Sequence, residues 1–158
     1  MKLYLMQHGR ACAKADDPLR PLTEQGARET ELMAQWAVRA QVPVRSILHS
    51  GKLRARQTAE IMARHLHPAG GVAVQDGMSP DDCMCVVAEA LPERGDAVLL
   101  VGHLPHLSGL ASWLLSGDAN RDMISFRNSG LVCLGRDELS GAWALEWALT
   151  PQLLASSV

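Results

Sequence analysis

Three short segments of the chain carry residue types that handle anions: Gln7-His8-Gly9-Arg10, Ser50-Gly51-Lys52-Leu53-Arg54 and Gly102-His103-Leu104-Pro105-His106. A neutral imidazole can attack phosphorus, and a covalent intermediate splits one difficult displacement into two easier steps. Arginine presents a planar fork of donors suited to phosphate oxygens. Glycine lets the backbone come close to a ligand. A helix opening at Leu104-Pro105 would aim free N–H groups and a positive dipole end at the same place. A histidine or an arginine after a strand marks nothing by itself; the three segments placed together mark an anion site.

What places them together is the run of elements around them. Leu3–Met6, Ser46–His49 and Ala97–Val101 are apolar runs that read as buried strands, and one of the three segments follows each. Thr23 can cap a helix reaching about Ala40, with Leu32, Met33, Trp36, Ala37 and Ala40 at helical spacing. Leu53 to Leu66 reads as a second helix, stopped by His67-Pro68 and two glycines. Val72–Val74 is a weak strand. Ser79-Pro80-Asp81-Asp82 has the signature of a third helix start, with Ser79 as cap. That helix is expected to stop near Leu91-Pro92. Pro105 opens a fourth, ended by Ser116-Gly117. Leu131–Leu134 is a further strand, and Trp143, Leu145, Trp147 and Leu149 are expected on one face of a last one. Strands alternating with helices predict a layered α/β domain with a mainly parallel sheet. In such sheets ligands bind beyond the carboxyl ends of the strands, where the three segments would converge.

The bulk numbers exclude several classes. The 158 residues suit one domain, 1–158. The net charge of −2 gives no nucleic-acid footprint and no polybasic membrane patch. The longest apolar stretch, Ala97–Val101, is far below membrane-spanning length, and the N-terminal run is too short for a secretory signal. A cytoplasmic protein is expected. Cys12, Cys83, Cys85 and Cys133 form no framework and are expected as reduced thiols. His49, His65 and His67 are not expected to form a metal site.

In these residues the chain resembles the histidine phosphatase superfamily, in particular its short bacterial SixA-type phosphohistidine phosphatase branch. Four segments in order carry the likeness: LYLMQHGRA, DDPLRPLTEQG, HSGKLRARQTAE and VGHLPHLS. The resemblance implies a three-layer sandwich with helices on both faces of the sheet, as in the phosphoglycerate mutase-like fold. It implies that His8 is the phosphorylated nucleophile, that Arg54 binds phosphate, and that His103 stabilises the charge being transferred. Gln7, Gly9, Arg10, Arg20, Ser50 and Leu104 are expected to line the substrate site. No metal or organic cofactor is expected. The implied partner is a phosphorylated protein of the histidine phosphotransfer type, or a small phosphate ester.

Two positions depart from the pattern. Gln7 stands where the family has arginine, which removes a charge-assisted bond to phosphate. Arg10 stands where the branch commonly has an acid, and is expected to restore part of the positive field. No carboxylate stands out as general acid: Asp76 precedes the third helix, and Asp81 and Asp82 are accounted for as helix-start residues. A phosphohistidine substrate lessens that need, because its leaving imidazole can carry its own proton. Arg20 has two readings, a phosphate contact or a tie for its loop. His106 also has two, a substrate contact or surface exposure. The function has alternatives as well: a phosphate-recognising module weakened by Gln7, or a small phosphomonoester phosphatase.

Overall fold

A computed structural model describes residues 1–92, 95 and 97–156. One six-stranded sheet organises it. In chain order the elements are β1 (Lys2–Gln7), α1 (Glu24–Arg39), β2 (Ser46–His49), α2 (Leu53–Leu66), β3 (Val72–Val74), α3 (Met84–Ala90), β4 (Val98–Gly102), α4 (His106–Ser116), β5 (Leu131–Arg136), β6 (Trp143–Leu149) and α5 (Pro151–Ala155). The strand order is β3-β2-β4-β1-β5-β6. β3, β2, β4 and β1 run parallel, and β5 and β6 are antiparallel additions at one edge.

Strand side chains alternate between faces, so each buried strand feeds two cores. Tyr4, Met6, Ile47, Leu99, Val101, Leu131 and Cys133 face one side, under Met33, Ala34 and Ala37 of α1 and Ala55, Ala59 and Met62 of α2. Leu3, Leu5, Val98, Leu100, Val132 and Leu134 face the other, under Val87 of α3 and Leu107, Leu110 and Ala111 of α4. Helices therefore cover both faces, giving the expected three layers. The central β4 is buried at all five positions, as its unbroken apolar run requires.

Local chemistry sets the helix ends. Thr23 accepts a hydrogen bond from the Gly26 N–H at 3.0 Å and starts α1, while Arg39 sits in its last turn against the negative dipole end. Gly117 closes α4 in the left-handed conformation at φ 75°, where glycine has no Cβ to clash.

Three expectations fail. Ser79 does not cap α3. Its N–H is bonded to Asp82 Oδ2 at 2.8 Å and its carbonyl accepts from the Asp82 N–H at 3.1 Å. The Ser-Pro-Asp-Asp signature belongs equally to a turn with proline at its second position, and the turn wins here. The helix starts only at Met84, with Cys83 as its cap. Cys83 and Cys85 are joined in a disulfide rather than reduced, while Cys12 and Cys133 are free. Cys83 lies at the extended cap position instead of inside the helix, so its side chain is free to swing towards Cys85. Finally, the last strand does not keep one face. A bulge shifts the register between Cys133 and Leu134, so Trp143 packs with the α3/α4 core and Trp147 and Leu149 with the α1/α2 core.

Candidate active site

Register brings the two histidines together. Gln7 of β1 pairs with Gly102 of the parallel β4, and the His8 N–H continues the ladder to the Gly102 carbonyl at 3.0 Å. His8 and His103 therefore leave adjacent strands side by side, with ring centroids 4.9 Å apart. His49 pairs with Val101 on the other side of β4, which sets Ser50 beside the same edge. Ser50 Oγ lies 2.5 Å from His103 Nε2. Arg54, in the first turn of α2, donates from Nε to His8 Nε2 at 3.2 Å.

The tautomer of His8 follows from its partners. Nδ1 lies 2.7 Å from the Gly9 carbonyl oxygen, which can only accept, so Nδ1 carries the proton. Nε2 then holds the lone pair, as the bond from Arg54 also requires. Burial pulls the His8 pKa down to about 4; the Gly9 bond opposes this, and Arg54 and Arg20 add to it. Burial pulls His103 down to about 3, with His8, Arg54, Lys52 and His106 contributing further. Both rings are neutral at pH 7, the state in which an imidazole is a nucleophile.

The backbone around His8 is pinned by residues the sequence reading did not single out. Asn128 Nδ2 donates to the His8 carbonyl at 2.8 Å, and the Ser129 N–H donates to the Gln7 carbonyl at 3.0 Å. Thr58 Oγ1 accepts from the Gly9 N–H at 3.0 Å and donates to the Arg54 carbonyl at 2.7 Å, tying the His8–Gly9 loop to the arginine's own helix. Thr58 was open to inference, since it stands four residues after Arg54 on one helix face. Asn128 was not: only a generic Asn-Ser-Gly turn signal marks it. Gly9 serves close packing. A Cβ there would meet Thr30 Oγ1 at 2.9 Å and the Gly26 carbonyl at 3.0 Å.

The remaining predicted residues divide. Gln7, Arg10 and Arg20 line a cavity of about 590 Å³ with His8, Ala11, Thr23, Gln25 and Asn128. Arg20 is held at φ 51° with its Nε 3.1 Å from the Cys12 carbonyl, and its charge is felt by both His8 and Arg54. Arg10 instead has its Nε 3.4 Å from Glu29 of α1. Leu104 is partly exposed beside His103. His106 is buried rather than exposed, at 3%. Among the described residues no cluster of three or more His, Cys, Asp or Glu could hold a metal.

A neutral strand-end imidazole with its lone pair on Nε2, facing a second imidazole and an arginine, has the chemistry of an anion site that could carry phosphoryl transfer. The chain belongs to the histidine phosphatase superfamily, branch 1, whose family model matches residues 3–78. It is 32% identical to the phosphohistidine phosphatase SixA of Escherichia coli strain K12 over 156 residues, 96% of this chain and 94% of that one. The structure of the protein histidine phosphatase SixA complexed with tungstate matches it with a TM-score of 0.85 at 31% identity, covering 98% of this chain and 99% of that one. A mycobacterial glucosyl-3-phosphoglycerate phosphatase matches at a TM-score of 0.73 and 18% identity, over 92% and 97%, a likeness of fold alone.

Proposed function

We propose that this phosphatase removes the phosphoryl group from a phosphorylated histidine of a protein, with His8 Nε2 as nucleophile. The single observation that carries the reading is the His8 tautomer: the Gly9 carbonyl holds the proton on Nδ1, which leaves the lone pair on Nε2, where Arg54 donates to it beside His103. In the first step the Nε2 lone pair forms a bond to phosphorus as the substrate's P–N bond breaks. The substrate ring reacts in the form protonated on its other nitrogen, so the imidazole leaves neutral and takes no further proton. In the second step water attacks the phosphorus, the His8–P bond breaks, and inorganic phosphate leaves. Arg54 would give up its bond to Nε2 and take phosphoryl oxygens, and His103 would face the transferring charge.

Arg20 supports the same reading as a further phosphate contact, since its charge reaches both His8 and Arg54. Gln7, Gly9, Arg10, Ser50 and Leu104 would complete the substrate site. Catalysis of this kind needs no metal or organic cofactor. The relative solved with tungstate binds a tetrahedral oxyanion, which is consistent with phosphate here. No helix among the described residues is long and apolar enough to cross a membrane.

The test is a brief incubation with a phosphohistidine-bearing protein and, separately, with an alkyl phosphate. Acid-labile phosphate should appear on His8, turnover of the phosphoprotein should exceed that of the ester, and His8→Ala should abolish both. Tight phosphate binding without turnover would favour a recognition module instead. Full activity of His8→Ala would overturn the nucleophile.

A further inference from the structure

His103 has one ring nitrogen in use and one without a partner. Ser50 Oγ sits 2.5 Å from Nε2. Nδ1 is buried and meets no hydrogen-bond partner among the described residues. The ring is 2% exposed, so water does not satisfy Nδ1 freely. The two neutral tautomers are therefore unequal. A proton on Nδ1 would leave a buried N–H with no acceptor, which folded proteins avoid more strictly than an unused lone pair. A proton on Nε2 is donated to Ser50 Oγ, and only a lone pair is left unpaired. The charged form is excluded near neutral pH by burial and by the surrounding cations.

We propose that Ser50 is a positioning residue that holds His103 in its Nε2–H tautomer, so that this ring presents a proton, and not a lone pair, to the phosphoryl group carried by His8. The inference rests on the reading of the pocket as a phosphoryl-transfer site. The two histidines then have opposite polarity at the same ring atom. Gly9 fixes His8 with a lone pair on Nε2, and Ser50 fixes His103 with a proton on Nε2. A nucleophile faces a donor across 4.9 Å between ring centroids. No covalent bond to Ser50 forms. When a phosphoryl oxygen arrives, the Nε2–H hydrogen bond passes from Ser50 Oγ to that oxygen, and the serine hydroxyl turns its own proton to a new acceptor. The sequence position explains the residue type: Ser50 directly follows β2, which pairs with β4, so its short side chain reaches the next strand's histidine.

The test reads the tautomer directly by two-bond ¹⁵N–¹H correlation NMR on the whole chain, beside kinetics with inorganic phosphoramidate. His103 of the wild type should show protonated Nε2. Ser50→Ala should lose that preference and lower kcat by about tenfold to a hundredfold with KM within about threefold, as for loss of one oriented donor. Ser50→Thr, which keeps the hydroxyl, should keep the tautomer and most of the rate. A wild-type His103 protonated on Nδ1 would overturn the proposal. So would Ser50→Ala with an unchanged tautomer, whatever its rate. If Ser50→Ala does not fold, the wild-type and Ser50→Thr spectra still decide. If the wild type fails to turn over phosphoramidate, the phosphatase reading is what suffers, and the NMR arms still judge Ser50.

Discussion

At the scale of single residues, protonation and local charge govern the chemistry. As the proposed nucleophile, His8 must be neutral to attack, and its folded pKa of about 4 lies below the ordinary value of 6.5. Activity should therefore hold on descending through pH 6.5 and fall only near pH 4. The profile of kcat/KM, with the substrate's own ionisation divided out, checks this; a limb at 6.5 would contradict it. The field around the phosphate should depend on Arg20 more than on Arg10. Sequence alone favoured Arg10 as compensation for Gln7, but Arg10 shares its charge with Glu29. Arg20→Ala is expected to lower kcat/KM by about tenfold or more, Arg10→Ala by less than about threefold. Gln7→Arg should raise kcat/KM by about threefold to tenfold, the difference between a neutral and a charge-assisted donor. Steady-state kinetics on the three variants separates these outcomes.

At the scale of elements, the site depends on how closely α1 approaches the loop after β1. Gly26 is the contact point. A Cβ there would lie 2.2 Å from the Arg10 carbonyl oxygen and 2.7 Å from its amide nitrogen, both backbone atoms with no side chain to yield. Gly9 faces the same helix, and Thr30 Oγ1 bridges from the Gly26 carbonyl to Ser129 Oγ. Gly26→Ala should therefore cost about 2 kcal/mol or more of stability, in the range of overpacked cores. It should also depress activity, because displacing Arg10 displaces Gly9 and His8 with it. Urea denaturation beside kinetics tests the pair of effects. Normal stability with normal turnover would show that the helix can retreat without disturbing the site.

At the scale of the whole molecule, buried histidines tie stability to pH. His8, His103 and His106 all have folded pKa values below the ordinary one, chiefly through burial. The unfolded chain then binds more protons than the folded one as pH falls below 6.5. Stability from these groups is present above that value and is lost on descending towards the folded pKa values. His106 contributes to this loss without serving the phosphoryl site. It is the first residue of α4, at the positive dipole end, where burial lowers its pKa and the Gly77 backbone and Asp82 oppose the shift. His106→Leu should flatten the acid decline of stability, with kcat retained. Thermal denaturation from pH 7 to 4 checks it; an unchanged slope would mean that His106 is solvated or paired in solution.

The sequence by itself determined which residues gather at the site. His8, Ser50 and His103 each follow an apolar run whose only good fate is a buried strand, and parallel strands of one sheet end on the same side. Thr23, Leu53–Leu66 and Gly117 likewise mark helix ends through interactions spanning a few residues. Tertiary structure decided everything that depends on which distant group comes near. Ser-Pro-Asp-Asp serves a turn as well as a helix cap, and its surroundings choose the turn. The face of Trp147 depends on a bulge opposite Cys133, and the charge of Arg10 is spent on Glu29, 19 positions away. Asn128 reaches the His8 carbonyl across 120 positions, because β5 happens to pair with β1. Local signals fix elements through short-range hydrogen bonds and periodicity. Which distant partner meets a side chain is set only when the sheet register closes, and that register brings Ser50 to His103, whereas the His8 tautomer is held by the adjacent Gly9 carbonyl.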